Sequence, residues 1–419
     1  NNTRLRIVLG LSAAANYSVN RENNDTRLVV NLNNIATTLQ GAPALRSNAV
    51  KDIILGTYGS DTVQLIVDMK APMEAKVYTM ANPHRLVIDI QKEYEEMQPR
   101  QIMPGLNYTR YLRVDNRGML TAYVLEADRS KFDLQLVLAG DSIASGRQKL
   151  KAIASAHQAV AAINGGYFAL DGSLIGNTRI NGQTAGTTYF DRTSLGFMPD
   201  GTLKLATSQY YGVVEIAGQK VYLSGVNCPR GENNTILYNS LFGKEYVVQN
   251  GKVIAINQAN SFIPTDAQVI SVHGTAQDAF AKVRIGDKIS IGENFGPELD
   301  SASTIVGAGP ELLRNGQLHV TAVQEQFPSD IAKGRAPRTA LGIKADGKII
   351  LMVIDGRQSH SIGTTLTETA QLLQKFGAVN GFNLDGGGSS EMVLQGQILN
   401  SPSDGGERPV GSGLILTRR

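Results

Sequence analysis

One cysteine in 419 residues, Cys228, excludes a disulfide framework and a thiolate metal centre, and a lone thiol of this kind is expected as a small, partly buried side chain. Five histidines with no His-x-x-x-His pair among them offer no zinc spacing. No apolar run approaches the ~20 residues that a membrane-spanning helix needs. Charge is sparse and balanced: charged residues make up 18% of the chain and the formal net charge is +3, too little to attract nucleic acid. There is no Gly-x-Ser-x-Gly elbow around Ser389 or Ser390 and no Walker loop, which sets aside a hydrolase-type serine and a P-loop. The first residue is Asn1 rather than Met, so a processed chain is expected, with any signal or anchor segment outside it.

What is present begins with a repeat. Arg6-Ile7-Val8-Leu9 aligns with Gln64-Leu65-Ile66-Val67, and Arg27-Leu28-Val29-Val30-Asn31-Leu32 aligns with Arg85-Leu86-Val87-Ile88-Asp89-Ile90 at the same spacing. Short alternating strands separated by Asn and Pro turns predict a small all-β domain over residues 1–95, read as a two-sheet sandwich. Residues 96–105, with Glu96, Pro99 and Pro104, form the expected exposed linker, and residues 106–419 the second domain.

That second domain is expected to be α+β, with mixed sheets and few helices. Strand signals recur at Leu120–Ala127, Leu134–Ala139 and Gln268–His273, and Asp200-Gly201, Asn250-Gly251, Asn315-Gly316 and Asp346-Gly347 are hairpin turns. Helical periodicity covers Arg147–Ala161 and Thr365–Phe376; the latter opens on Thr365 and Glu368, a capping-box spacing, and stops at Gly377.

Chemistry gathers near the C-terminal end. The apolar runs 348–354 and 378–384 end in Asp355-Gly356-Arg357 and Asp385-Gly386, with the capped helix between them. If the two runs are neighbouring parallel strands joined by a right-handed crossover, both acids meet at one carboxyl edge, where open α/β sheets bind ligands. Three glycines, Gly386 to Gly388, followed by Ser389, Ser390 and Glu391, predict a close backbone approach and an anion-binding nest of amides. Asn164 and Gly165 open a similar glycine turn after an apolar run. Arg338, Arg357 and Arg408 are guanidinium forks suited to phosphate or carboxylate, and Asp404 precedes the last of them. His360 stands near the proposed edge and is read as a loop residue rather than a base.

With these residues in hand, the N-terminal repeat resembles the AMIN domain, a cell-envelope module. The second domain resembles the phosphodiester glycosidase family, through Ala162 to Phe168, Val306 to Leu312 including Glu311, Pro337 to Gly342, Val353 to Arg357, Thr365 to Glu368, Asn383 to Ser390 and Ser401 to Asp404. Ala308 stands where that family is expected to have glycine, and Glu391 follows the serines where threonine is commoner, which leaves open whether Glu391 takes part in catalysis. The resemblance implies a hydrolase that splits the glycosidic bond of a GlcNAc-like sugar held through its anomeric carbon to a phosphodiester. Asp355 and Asp385 would be its catalytic acids. Asn164, Gly165, Arg338, Arg357, Gly386 to Ser390 and Arg408 would hold the substrate, a glycan or sugar-phosphate polymer. The AMIN likeness implies an extracytoplasmic, bacterial setting, periplasm or cell wall, with contact to peptidoglycan. No cofactor is required by this reading. Two rival functions are a phosphodiesterase using Ca²⁺ or Mg²⁺ on the two aspartates and a non-catalytic wall-glycan binder.

Overall fold

The computed structural model describes residues 3–39, 41, 42, 45, 47–59, 61–242, 253–256, 263 and 267–419; the Asn250-Gly251 turn lies outside them. Two compact units emerge: Asn1–Gln98 with Arg110–Thr121 and Ser359–Ile362, and Pro99–Thr109 with Ala122–Gln358 and Gly363–Arg419. Among the described residues no helix is long and apolar enough to cross a membrane.

The first unit is the expected β sandwich. One sheet runs Arg4–Gly10, Arg85–Gln91, Ala75–Met80, and the other Asn16–Glu22, Arg27–Asn33, Thr62–Met69, Val50–Tyr58. Alternation drives both: Leu28, Val30 and Leu32 of one sheet and Leu86, Ile88 and Ile90 of the other close a single core. Each half of the repeat supplies three strands, and the halves exchange partners. The first strand of one half pairs with the last of the other, in the registers Arg6↔Asp89 and Asn31↔Gln64. The same cross-strand position therefore holds an ion pair in one copy, Arg6 Nε to Asp89 Oδ1 at 2.7 Å, and an amide pair in the other, Gln64 Nε2 to Asn31 Oδ1 at 2.9 Å. The stretch read as a linker, 96–105, lies mostly within the strand Tyr94–Met103, because Ile102 and Met103 find apolar neighbours that hold the chain extended.

The second unit is built on two sheets that share one core. The larger has, side by side within this unit, Gln317–Leu318, Glu311–Arg314, Ala378–Asn383, Arg338–Lys344, Ile349–Ile354 and the part of the strand Gly118–Ala127 from Ala122 onward. The smaller runs Phe132–Leu138, Ser412–Arg418, Ala161–Asn164, Met392–Leu394, Gln397–Ile398. Leu341, Leu351, Val353 and Phe382 of the first pack with Leu134, Ile163, Met392 and Leu414 of the second. Asp200-Gly201, Asn315-Gly316 and Asp346-Gly347 each turn an antiparallel pair, as expected. The helix Leu366–Lys375 has its capping box: Glu368 N donates to Thr365 Oγ1 at 3.3 Å and Thr365 N to Glu368 Oε2 at 2.9 Å. The earlier helix is shorter than its periodicity implied, Leu150–Ala156, since Gln158 turns to φ 50° and Ala161 already enters a strand.

One topological expectation is corrected. The strands that end in the two acids are parallel but not neighbours, because Arg338–Lys344 lies between them and is antiparallel to both. The shared carboxyl edge survives that insertion, and the first residue of the middle strand, Arg338, now falls at the same edge, opposite Ile354.

Candidate active site

Asp385 lies just past the strand Ala378–Asn383 and is partly exposed. Its Oδ1 accepts the Gly386 amide at 2.9 Å, and its main-chain oxygen accepts Nδ2 of Asn164 at 2.7 Å. Burial pushes its carboxyl up to about 6, against the opposing pull of the Ser389 hydroxyl, the Gly386 amide and Arg408. This acid therefore changes charge close to neutral pH while it faces the edge, which suits an acid–base or nucleophilic group.

Asp355 is placed differently. It is 1% exposed, and its carboxylate accepts Tyr123 Oη at 3.2 Å, Asn400 Nδ2 at 3.2 Å and the Ser401 amide at 3.0 Å. Asn400 also donates to the Ser390 carbonyl at 3.0 Å and accepts the Met392 amide at 2.8 Å. A carboxylate held this way fixes the loops around Ser390 and Ser401 rather than meeting a substrate.

Three expected substrate binders are internal ties. Asn164, 1% exposed, accepts Thr339 Oγ1 at 2.7 Å and the Glu391 amide at 3.3 Å on its Oδ1, so one side chain of the smaller sheet braces two points of the larger sheet's edge, Thr339 and Asp385, and the start of its own neighbour strand at Glu391. Gly165 accepts the Asp385 amide at 3.3 Å and donates to Ser412 O at 3.0 Å. Arg338, also buried, gives its guanidinium to three main-chain oxygens, Thr364 at 3.2 Å, Ile331 at 3.0 Å and Gly334 at 2.6 Å, and burial pulls its pKa down.

The amide nest is also corrected. Gly386 N points to Asp385, Gly387 N to Pro337 O at 2.9 Å, Ser389 N to Gly386 O at 3.2 Å and Ser390 N to Gly387 O at 3.2 Å, because the 3₁₀ turn Gly387–Ser389 uses its own carbonyls. The glycines make room for arginines instead. Gly387 sits at φ 62° beneath the Arg357 guanidinium, and a Cβ on Gly388 would strike the Arg408–Asp404 pair, whose Nε–Oδ2 distance is 2.8 Å. Arg357 itself is exposed, has φ 60°, a costly conformation for a side-chain-bearing residue, and makes no hydrogen bond or ion pair among the described residues. Its guanidinium stands over Gly387, two residues after Asp385, with no acid paired to it among the described residues.

Among the remaining expected residues, Ser389 and Ser390 are buried; the Ser389 hydroxyl lies toward the Asp385 carboxyl and favours its ionised form, and the Ser390 hydroxyl has no hydrogen-bond partner among the described residues. Glu391 is 2% exposed, and burial, then the charge of Glu407, pushes its carboxyl up to about 8, so it is protonated at neutral pH. Glu311 pairs with Arg314, Nε to Oε1 at 2.9 Å, and is a structural acid of its strand. His360 belongs to the first unit, where its carbonyl accepts Thr121 Oγ1 at 3.3 Å. Among the described residues no three His, Cys, Asp or Glu side chains converge as a metal site. Tyr167, within the stretch Ala162 to Phe168, supports the edge, and Tyr123 and Asn400 do so without having been singled out; an aromatic or amide in or beside an apolar run gives no signal of what it will touch.

The model of the phosphodiester glycosidase family matches residues 242–417, and that of the AMIN domain matches residues 1–90. Human N-acetylglucosamine-1-phosphodiester alpha-N-acetylglucosaminidase is 30% identical over 173 residues, covering 38% of this chain and 33% of that enzyme, so the chain spans about a third of that relative's length. A hypothetical protein from Synechocystis shares the fold with a TM-score of 0.68 at 24% identity, over 99% of this chain and 78% of its own. A putative exported protein from Burkholderia pseudomallei does so with a TM-score of 0.63 at 20% identity, over 97% of each chain. The chain is thus similar to the AMIN domain over residues 1–90 and to the phosphodiester glycosidase family over residues 242–417.

Proposed function

We propose that the protein hydrolyses the bond between the anomeric carbon of a GlcNAc-like sugar and a phosphodiester, in glycans of a bacterial envelope. The observation that carries this reading is Asp385, an edge-facing acid held near neutral pKa, followed by Gly387 under the Arg357 guanidinium, which has no acid paired to it among the described residues. In the reaction the C1–O bond breaks, its electron pair stays on the phosphate oxygen, and water completes the sugar. A phosphomonoester has a second pKa near ~6, so the leaving group needs charge stabilisation more than protonation. Arg357 supplies that charge, with Arg408 behind Gly388, while buried Arg338 adds positive potential without contact. Asp385 steadies the oxocarbenium-like carbon and either attacks it or takes the proton of water. Asp355 holds Asn400 and Ser401 in place behind it. The AMIN domain supports an extracytoplasmic site of action, near peptidoglycan.

Product analysis by phosphorus NMR on a GlcNAc-1-phosphodiester tests this: free sugar plus phosphomonoester is expected, and sugar 1-phosphate would favour metal-assisted cleavage at phosphorus. Arg357→Gly separates two roles of that residue. It should raise stability by about 1 kcal/mol by relieving the positive φ, and lower kcat/KM by about 10²-fold by removing the cation. A variant that keeps its activity would remove Arg357 from the phosphate site.

A further inference from the structure

We propose that Arg192, on an aromatic cage next to the acid edge, is a subsite for a second anionic group of the substrate; this rests on the function above and narrows its substrate class. Arg192 lies between the strands Gln183–Gly186 and Thr193–Phe197, in a sequence, Tyr189-Phe190-Asp191-Arg192, that matches no motif. Its Cζ stands 3.9 Å from the ring centroid of Phe327, 5.2 Å from Phe190, 5.5 Å from Tyr189 and 5.7 Å from Tyr167. Four rings fix the plane of the guanidinium, yet its one hydrogen bond among the described residues is a long one, Nε to the Glu325 carbonyl at 3.4 Å. Both Nη groups keep their donors.

The nearest acid does not take them. The Glu325 carboxylate accepts Thr193 N at 2.9 Å, Thr193 Oγ1 at 2.6 Å, Glu311 N at 3.0 Å and also Thr321 Oγ1, which occupies both of its oxygens. Arg192 is thus a half-buried cation that is oriented, partly desolvated and without a counter-ion among the described residues. Such a fork is made complete by a carboxylate or phosphate from outside. Tyr167 ties it to the chemistry: one side of its ring borders Arg192, and its hydroxyl donates to Gly309 O at 3.0 Å and accepts Asn383 Nδ2 at 3.3 Å, two residues before Asp385. Tyr189, 60% exposed, adds a flat face on which a sugar ring can stack. Arg357 stands on a different loop, so one substrate can meet both cations only if it carries two negative groups. The second is either a carboxylate on the sugar or the phosphate of a neighbouring repeat unit.

Three substrates separate these sources: methyl GlcNAc-1-phosphodiester, its counterpart oxidised to a C6 carboxylate, and a diester lengthened by one further phosphodiester unit. The wild type should favour at least one charged form over the plain diester by roughly tenfold in kcat/KM, and the form it favours names the source. In Arg192→Met that ratio should fall to about one, and Arg192→Lys should keep part of it. Equal losses on all three substrates, with the ratio intact, would mean that Arg192 only packs the loop, and no preference in the wild type would overturn the subsite. Calorimetric binding of the two charged diesters against the plain one is measured in parallel. If nothing is turned over but a charged diester binds tighter in an Arg192-dependent way, the hydrolase reading fails and the subsite stands; if neither charged form binds tighter, the subsite falls.

Discussion

Asp385→Asn should abolish turnover and stabilise the protein at alkaline pH. The activity loss is expected at 10³-fold or more in kcat, the scale of removing a group that acts only in the transition state. The stability gain follows from the same burial. In the folded protein burial pushes the carboxyl up to about 6, well above the ordinary range of an aspartate, so the folded state binds this proton more tightly than the unfolded chain. The stabilisation it contributes is fully present below pH ~4, declines as pH rises through ~6, and is gone above it, where the native state must hold a partly desolvated charge. The difference amounts to at most about 3 kcal/mol and is smaller to the extent that solvent reaches the group. Asparagine keeps the Oδ1 acceptor for the Gly386 amide but carries no charge. Thermal unfolding at pH 5 and pH 8 checks it: the variant should gain several degrees over the wild type at pH 8 and roughly half as much at pH 5. The wild-type rate should in turn fall on the acid side with an apparent pKa near 6, because either role in the reaction needs the ionised form. Turnover within tenfold of wild type would sink the assignment, and equal melting shifts at both pH values would mean that no buried charge was removed.

What could be learned from the sequence divides along the range of the interactions. The capping box of Thr365 and Glu368 and the Asp200-Gly201, Asn315-Gly316 and Asp346-Gly347 hairpins are decided within a few residues, and they stand where the pattern put them. The repeat at the N-terminus was legible because each copy keeps its own alternation. The exchange of strands between copies was not, since either pairing buries the same faces. At the site, the carboxyl edge was legible from two apolar runs ending in acids, but the strand between those runs was not, because its neighbours are chosen by the whole sheet. The same holds for direction of side chains. Asn164, Arg338 and Asp355 have the chemistry of ligand binders, and partners as far as 232 residues away along the chain turn them inward. Arg192 has the opposite history: nothing local marks it, and only the rings gathered around it, with Glu325 already occupied, leave its donors open.

Asn164→Ala should be among the most damaging substitutions in the protein, although the residue touches no substrate. Its amide joins three buried groups that have no ready alternative: the Asp385 carbonyl at 2.7 Å, the Thr339 hydroxyl at 2.7 Å and the Glu391 amide at 3.3 Å. Removing it leaves a carbonyl, a hydroxyl and an N–H without partners in a closed site, each worth about 1–3 kcal/mol when left unmade. Because the three are held by one side chain, their losses overlap, and about 3–5 kcal/mol in total is expected, with the urea midpoint falling at an unchanged slope. The kcat should drop by about 10–10²-fold through misplacement of the Asp385 turn alone. Asn164→Asp distinguishes bracing from mere space filling. It keeps the acceptor for Thr339 and Glu391 but sets a carboxylate oxygen against the Asp385 carbonyl, and protonation restores a donor there. Its stability relative to wild type should therefore recover as pH falls, which Asn164→Ala cannot do. If the alanine variant stays within 0.5 kcal/mol and twofold in kcat, the edge is held by its strands and Asn164 is incidental; if the aspartate shows the acid recovery, the position of the reacting carboxyl is set by one amide on the opposite sheet.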